Sequence, residues 1–217
     1  MNSLALEIPL FLFAKAPMAG KVKTRLQPHC NAQQAADIAK ILLEAAVKRC
    51  VGAWPGEVKL SVWLDRDDAF LQSIAQQYSV DIVLQSEGHL GEKMHNTFEE
   101  FGYPAAIMGC DAPHVLSSSL TQAHNFLHRG KNVIAPSEDG GYYFIGLSQR
   151  CSGLFDGIVW GAESVYADTL ANAAALAFEH VSLPSLNDVD TWQDVLSVAK
   201  YLPSLDAYIK DNQLLPK

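Results

Sequence analysis

The chain has 217 residues, 49% of them hydrophobic and 18% charged, enough apolar material for a sizeable core, which excludes disorder as the whole description. The 16 Lys and Arg face 24 Asp and Glu, a formal charge of −8. A phosphate backbone would meet a mostly repelling surface, so non-specific nucleic-acid binding is not expected.

Residues 9–15 form a short, nearly continuous apolar run, as expected of a strand buried on both faces. Residues 31–51 place Ala35, Ile38, Ala39, Leu42, Leu43, Ala46 and Val47 at helical spacing, with Asn31 as N-cap. Residues 57–64 alternate like a strand, 67–78 read as a helix, 80–84 as a short strand and 92–101 as a helix. An apolar strand at 105–109 runs into Gly-Cys-Asp. A helix at 117–129 stops at Gly130. Strands at 132–136 and 142–147 flank Ser137-Glu138-Asp139-Gly140-Gly141, a strong hairpin-turn signal. A long Ala-rich helix at 162–178, a strand at 180–183 and helices at 191–201 and 204–210 complete the chain. Strands alternating with helices imply βαβ units and a mostly parallel sheet covered on both faces. Ligands of such sheets bind beyond the carboxyl ends of the strands.

Four cysteines, Cys30, Cys50, Cys110 and Cys151, lack C-x-x-C spacing and read as reduced thiols. The first ten residues contain Glu7 and Pro9 and no basic n-region, and the apolar run 8–14 is far shorter than the roughly 20 residues of a membrane span. The expectation is a soluble, cytoplasmic protein, neither membrane-bound nor nucleic-acid-bound, made of one domain over residues 1–217. Monomer and homodimer are both open.

Four segments carry chemistry, each directly after an expected strand. The first is Lys15-Ala16-Pro17-Met18-Ala19-Gly20-Lys21-Val22-Lys23-Thr24-Arg25. Four cations within eleven residues of an acidic chain supply charge and a guanidinium fork to a di- or triphosphate. The spacing is neither a Walker A loop nor a dinucleotide fingerprint. The second is Gly109-Cys110-Asp111-Ala112-Pro113, where Asp111 is placed to hold Mg²⁺ against phosphates or, alternatively, to cap the next helix. The third, Asn187-Asp188-Val189-Asp190-Thr191, offers two carboxylates that converge on a cation or begin a helix, with Gln193 or Asp194 completing a capping box with Asp190. The fourth is the Asp139-Gly140-Gly141-Tyr142 turn, which with Trp160 is assigned to an acceptor pocket. His124 and His128 stand one helical turn apart without an evident third ligand, so no zinc site is expected there. Trp54, Trp63 and Trp192 read as packing.

Taken together, these blocks resemble the CofC-like or MobA-like bacterial transferases of the glycosyltransferase-A fold, also called the radical-SAM/selenodomain-associated transferase family. The matching segments are F-A-K-A-P-M-A-G-K-V-K-T-R-L (13–26), L-G-E-K-M (90–94), G-C-D-A-P (109–113), A-P-S-E-D-G-G-Y-Y-F-I-G-L (135–147), W-G-A-E-S-V (160–165) and L-P-S-L-N-D-V-D-T (183–191). The resemblance implies a single Rossmann-like three-layer α/β domain with a mostly parallel mixed sheet, of nucleotide-diphospho-sugar transferase type. It implies a nucleotide held by Lys15, Pro17, Gly20, Lys23, Thr24, Arg25, Gly91 and Lys93. It further implies Mg²⁺ or Mn²⁺ on Asp111, Asp188 and Asp190, with Lys23, Arg25 and Asp111 catalytic.

Three positions depart from the family pattern: Lys93 stands where Arg is usual, His114 where an apolar residue is usual, and Gly161-Ala162 where a Ser/Thr pair is usual. The reaction implied is metal-dependent nucleotidyl transfer to a small phosphorylated acceptor with release of pyrophosphate. Glycosyl transfer from a nucleotide sugar and a non-catalytic nucleotide-binding module are the alternatives. Asp111-Ala112-Pro113, rather than Asp-x-Asp, favours the first.

Overall fold

In chain order the secondary structure runs β1 (Leu10–Ala14), α1 (Ala32–Ala53), β2 (Val58–Val62), α2 (Ala69–Tyr78), β3 (Asp81–Leu84), α3 (Leu90–Phe101), β4 (Ala105–Gly109), α4 (Ser117–His128), β5 (Asn132–Pro136), β6 (Tyr142–Leu147), α5 (Val165–Ala175), β7 (His180–Ser182), α6 (Trp192–Ala199) and α7 (Pro203–Asp211). The structure is a computed structural model that describes residues 7–63 and 68–214. Residues 1–6, part of the amino-terminal segment searched for a targeting signal, lie outside the described residues. So do Leu64 and Asp67, where the second strand was expected to end and the second helix to begin.

The seven strands form one sheet in the order β3-β2-β1-β4-β6-β5-β7. The strands β3, β2, β1 and β4 are parallel, and so are β5 and β7. The exception is β6, antiparallel to both β4 and β5. Its reversal comes from the 137–141 turn, where Ser137 N–H donates to Gly141 O and Gly140 N–H to Ser137 O. Gly140 has φ of 88°, and a Cβ there would lie 2.0 Å from the Glu163 carbonyl oxygen, so this corner requires glycine. The α/β architecture with a mostly parallel mixed sheet is the expected one.

Successive residues of β1 point to opposite faces and seed two core layers. Leu10 and Leu12 pack with Leu60, Val62, Met108, Val133 and the inner faces of α1, α2 and α4. Phe11 packs on the other side with Phe98 of α3, Ile107, Ile134 and Ile145. A third cluster lies outside the sheet. Leu26, Ile38, Leu42, Val189, Val195, Leu205 and Ile209 are nearly or fully buried together. That cluster docks the short 3-10 turn Thr24–Leu26, which the sequence did not reveal, against α1, α6 and α7.

Two helix starts differ from expectation in ways that matter. Thr191, not Asp190, is the N-cap of α6 and forms the reciprocal capping box with Asp194, which leaves Asp190 free. The N-cap of α4 is Leu116, without a side-chain cap bond, so Asp111 is not a helix cap. Helix α5 is shorter than the expected 162–178. Turns over residues 159–162 and 162–165 lead into it, and Ala177 at φ of 52° lies just past its end. Asn31 caps α1 as expected, in a reciprocal box with Gln34. Among the described residues no helix is long and apolar enough to cross a membrane.

Because Leu26 couples the 3-10 turn to three helices, Leu26→Ala is expected to cost about 3 kcal/mol of stability. Chemical denaturation of the variant against the parent protein checks this.

Candidate active site

Past Ala14 the chain leaves the sheet and returns as the 3-10 turn, and Lys23 is its N-cap residue at φ 46°, ψ 39°. That left-handed conformation is costly for a residue with a Cβ. The side chain supplies the compensation. Its Nζ donates to Asp111 Oδ1 at 2.6 Å and to Asp190 Oδ1 at 3.1 Å, and only 8% of the side chain is exposed. Burial pulls the Lys23 pKa down, but the attraction and hydrogen bonds of the two carboxylates outweigh it and hold the ammonium above the usual lysine value. Arg25 reaches the other Asp190 oxygen, Nη1 to Oδ2 at 3.3 Å, from a side chain that is 74% exposed. The two acidic loops are joined directly as well, since Val189 N–H donates to the Asp111 backbone oxygen at 2.9 Å.

Asp188 faces the other way electrostatically. Burial, then the nearby Asp111, Asp139 and Asp190, push its carboxyl up to about 7, against the pull of Lys23. Asp139 lies in the same acidic field. Its Oδ1 accepts from Ser137 Oγ and from Gly141 N–H, which fixes the turn before β6.

A cavity of about 400 Å³ opens beside the ion cluster. Lys15, Pro17, Lys21, Lys23 and Lys93 bring cations and backbone to it, and Asp111 and Asp190 close one side. Lys93 sits over the Trp63 ring at 3.8 Å from the ring centre, a cation–π seat. Burial and the proximity of Lys15 lower the Lys93 pKa, so two like charges face a shared space that an anion would relieve. Trp63, read from the sequence as packing, is thus part of this site through Lys93. Gln85 also lines the cavity and was missed. Its backbone N–H donates to Val62 O and its amide to Ser61 O at 3.0 Å. Its place directly after β3 was the available signal.

Several expected residues stand elsewhere. Gly20, Thr24, Arg25 and Gly91 do not line the cavity. Gly91 faces Trp160 instead, where a Cβ would come within 2.5 Å of the indole. Trp160 also neighbours His89, Tyr142 and Phe155, with its indole N–H buried and unpartnered. Asp139, Gly140, Gly141, Tyr142 and Trp160 are likewise absent from the cavity wall. They divide between the acidic turn and the Trp160 cluster.

The three acidic residues expected to converge on a metal do so only in part. Among the described residues no group of three or more His, Cys, Asp or Glu is arranged to hold one. Asp111 and Asp190 meet at the Lys23 ammonium, whereas among the described residues Asp188 forms no ion pair with it and feels it only at longer range. The separation follows from the turn in which Asp190 N–H donates to Asp188 O. Two carboxylates that already share one cation fit a Mg²⁺-like ion, which takes one or two carboxylates and completes its shell with phosphate oxygens and water. The rings of His124 and His128 lie 6.4 Å apart, and His124 stands edge-on to Trp54.

A family model described as "Uncharacterized protein conserved in bacteria (DUF2064)" matches residues 46–162. A search of curated proteins returned no match. Among solved structures, a proposed nucleotide-diphospho-sugar transferase from Desulfovibrio desulfuricans G20 is 26% identical, with a TM-score of 0.82 and 94% of each chain covered. A cytidylyltransferase from Leptospira borgpetersenii is 15% identical over 95% of each chain, with a TM-score of 0.58. The manganese complex of Rv0371C from Mycobacterium tuberculosis H37Rv is 14% identical, covering 89% of this chain and 98% of that one, with a TM-score of 0.50. The last two likenesses concern the fold alone.

The Gly91 and Trp160 contact yields a direct test. Gly91→Ala is expected to destabilise the protein by about 1–3 kcal/mol through overpacking and to shift the tryptophan emission as Trp160 moves. Denaturant unfolding followed by fluorescence reads both.

Proposed function

The chain belongs to the DUF2064 family of bacterial proteins, and from that premise we propose that it is a metal-dependent nucleotidyltransferase acting on a small phosphorylated acceptor. The carrying observation is the buried Lys23 ammonium held by Asp111 and Asp190 at the edge of a cation-lined cavity. In the proposed reaction an acceptor phosphate oxygen attacks the α-phosphorus of a nucleoside triphosphate. The bond from that phosphorus to the bridging oxygen breaks, and pyrophosphate leaves with the electron pair.

The residues divide this work by charge. Lys15, Lys21 and Lys93 line the cavity and draw in the triphosphate. Lys23 and Arg25 answer the charge that grows on the β- and γ-phosphates as pyrophosphate departs, the kind of preorganised stabilisation that dominates phosphoryl chemistry. Asp111 and Asp190 would hold Mg²⁺ or Mn²⁺, which when bound neutralises phosphate charge and polarises the reacting phosphorus. Asp188 supports the acidic side of the site from a half-buried position. Asp139, Gly140, Gly141, Tyr142 and Trp160 remain the proposed acceptor side. The manganese complex of the similarly folded mycobacterial protein and the cytidylyltransferase fold support this reading.

Glycosyl transfer from a nucleotide sugar is the second reading, favoured by the description of the Desulfovibrio structure. Against it, Ala112 and Pro113 are buried where a second carboxylate of an Asp-x-Asp motif would stand.

Two measurements decide. In a thermal-shift panel with Mg²⁺ or Mn²⁺, one nucleoside triphosphate is expected to stabilise the protein more than any nucleotide sugar. A ligand at about 100 times its Kd contributes about 2.7 kcal/mol. Preferential stabilisation by a UDP- or GDP-sugar would transfer the assignment to glycosyl transfer. In turnover assays Asp111→Asn is expected to lower kcat by at least about 100-fold with the fold retained by circular dichroism. Undiminished metal-dependent turnover would remove Asp111 from the mechanism.

A further inference from the structure

A second cavity, of about 720 Å³, lies against the carboxyl-terminal half of α1, the β4–α4 loop and the end of α6. Its size falls within the range of about 300–1,000 Å³ typical of small-molecule sites. Two large apolar side chains at its wall are strongly exposed, Leu116 at 62% and Tyr201 at 80%. Lys48 and Arg49 also line it, and no Asp or Glu does. Among the described residues neither cation is paired with a carboxylate, and Arg49 donates only to Ser117 Oγ, at 3.3 Å. In a chain of net charge −8, this is a cationic apolar groove.

Two further features point to an occupant. Gly52 stands in the last turn of α1, and a Cβ there would meet nothing within 4 Å. Its φ lies outside the left-handed region that demands glycine, and glycine is the weakest ordinary helix former. A side chain built at this position would enter the open groove. His114, a departure from the family pattern, lines the same wall with a buried Nδ1 that has no partner, although buried polar atoms are ordinarily bonded.

We propose that this groove is a binding site for a small anionic amphiphile. Its apolar body lies against Leu116 and Tyr201, and its carboxylate head pairs with Lys48 and Arg49. The site is separate from the nucleotide cavity, with which it shares no lining residue. It touches the same two loops, however: His114 follows Asp111 by three positions and Leu186 precedes Asp188 by two.

The test is calorimetric titration of the full chain with decanoate, below its micelle concentration, and with 1-decanol as the uncharged counterpart. Decanoate is expected to bind one to one and about tenfold more tightly than decanol, the preference that a charge-assisted contact supplies. The double variant Lys48→Ala, Arg49→Ala is expected to erase that preference, because both residues are exposed and their loss leaves the core intact. Gly52→Trp is expected to abolish binding of both probes with the thermal melt retained. No binding of decanoate, equal binding of decanol, or a preference that survives the double variant would overturn the assignment, and so would undiminished binding to a folded Gly52→Trp protein. Binding is read without turnover, so it fails or stands separately from the transferase reading.

Discussion

One buried ammonium organises the carboxyl edge of this sheet. Lys23 joins a loop after β1 to the loop after β4 and to the segment before α6, residues separated by 88 and 167 positions in the chain. A lysine with 8% of its side chain exposed needs compensating charge, because burial disfavours the ionised form. Asp111 and Asp190 supply it. The same pairing holds Lys23 in a left-handed conformation that its Cβ opposes, and the Asp111 to Val189 backbone bond keeps the two acids in register. Leu26 and Val189, both fully buried in one cluster, anchor the two sides from beneath.

Around that contact, charge is sorted. Lys15, Lys21 and Lys93 line the cavity of about 400 Å³, while Asp139 and Asp188 gather on the acidic side. Burial and then crowding by neighbouring carboxylates raise the Asp188 carboxyl to about 7, and burial and then the nearby Lys15 lower the Lys93 pKa. Each side is thus under strain that an opposite charge would relieve: an anion by the lysines, a cation by the acids. In the proposed reaction, a nucleotide with its divalent ion would bring both.

Much of this was legible from residue order because it rests on local rules. The apolar runs and helical spacings identify every strand and helix longer than one turn, and the Asp-Gly-Gly signal identifies the hairpin that reverses β6. The concentration of Lys15 to Arg25 in an acidic chain marks the cationic loop, and Asp111 and Asp190 follow from their places after strands. What escaped involves partners distant in sequence. Trp63 reads as packing until Lys93 is seen above its ring. Gln85 carries no motif and enters the site because β3 ends beside β2. Gly91 belongs to a phosphate-binding stretch by resemblance, yet its hydrogen leaves room for Trp160, 69 residues further on.

By itself, the sequence determined the α/β class, the order of elements and the identity of the charged loops, since periodicity and turn chemistry act over a few residues. Only the tertiary structure decided which acids meet Lys23. Thr191 takes the capping role from Asp190, and a turn holds Asp188 apart, so two carboxylates rather than three converge. That choice depends on how α6 docks, through Trp192 and Val195, on the cluster of Leu26 and Val189, a packing constraint spanning most of the chain. The opening charge of −8 says only that acid is in excess; burial and the docking of distant loops determine where it acts.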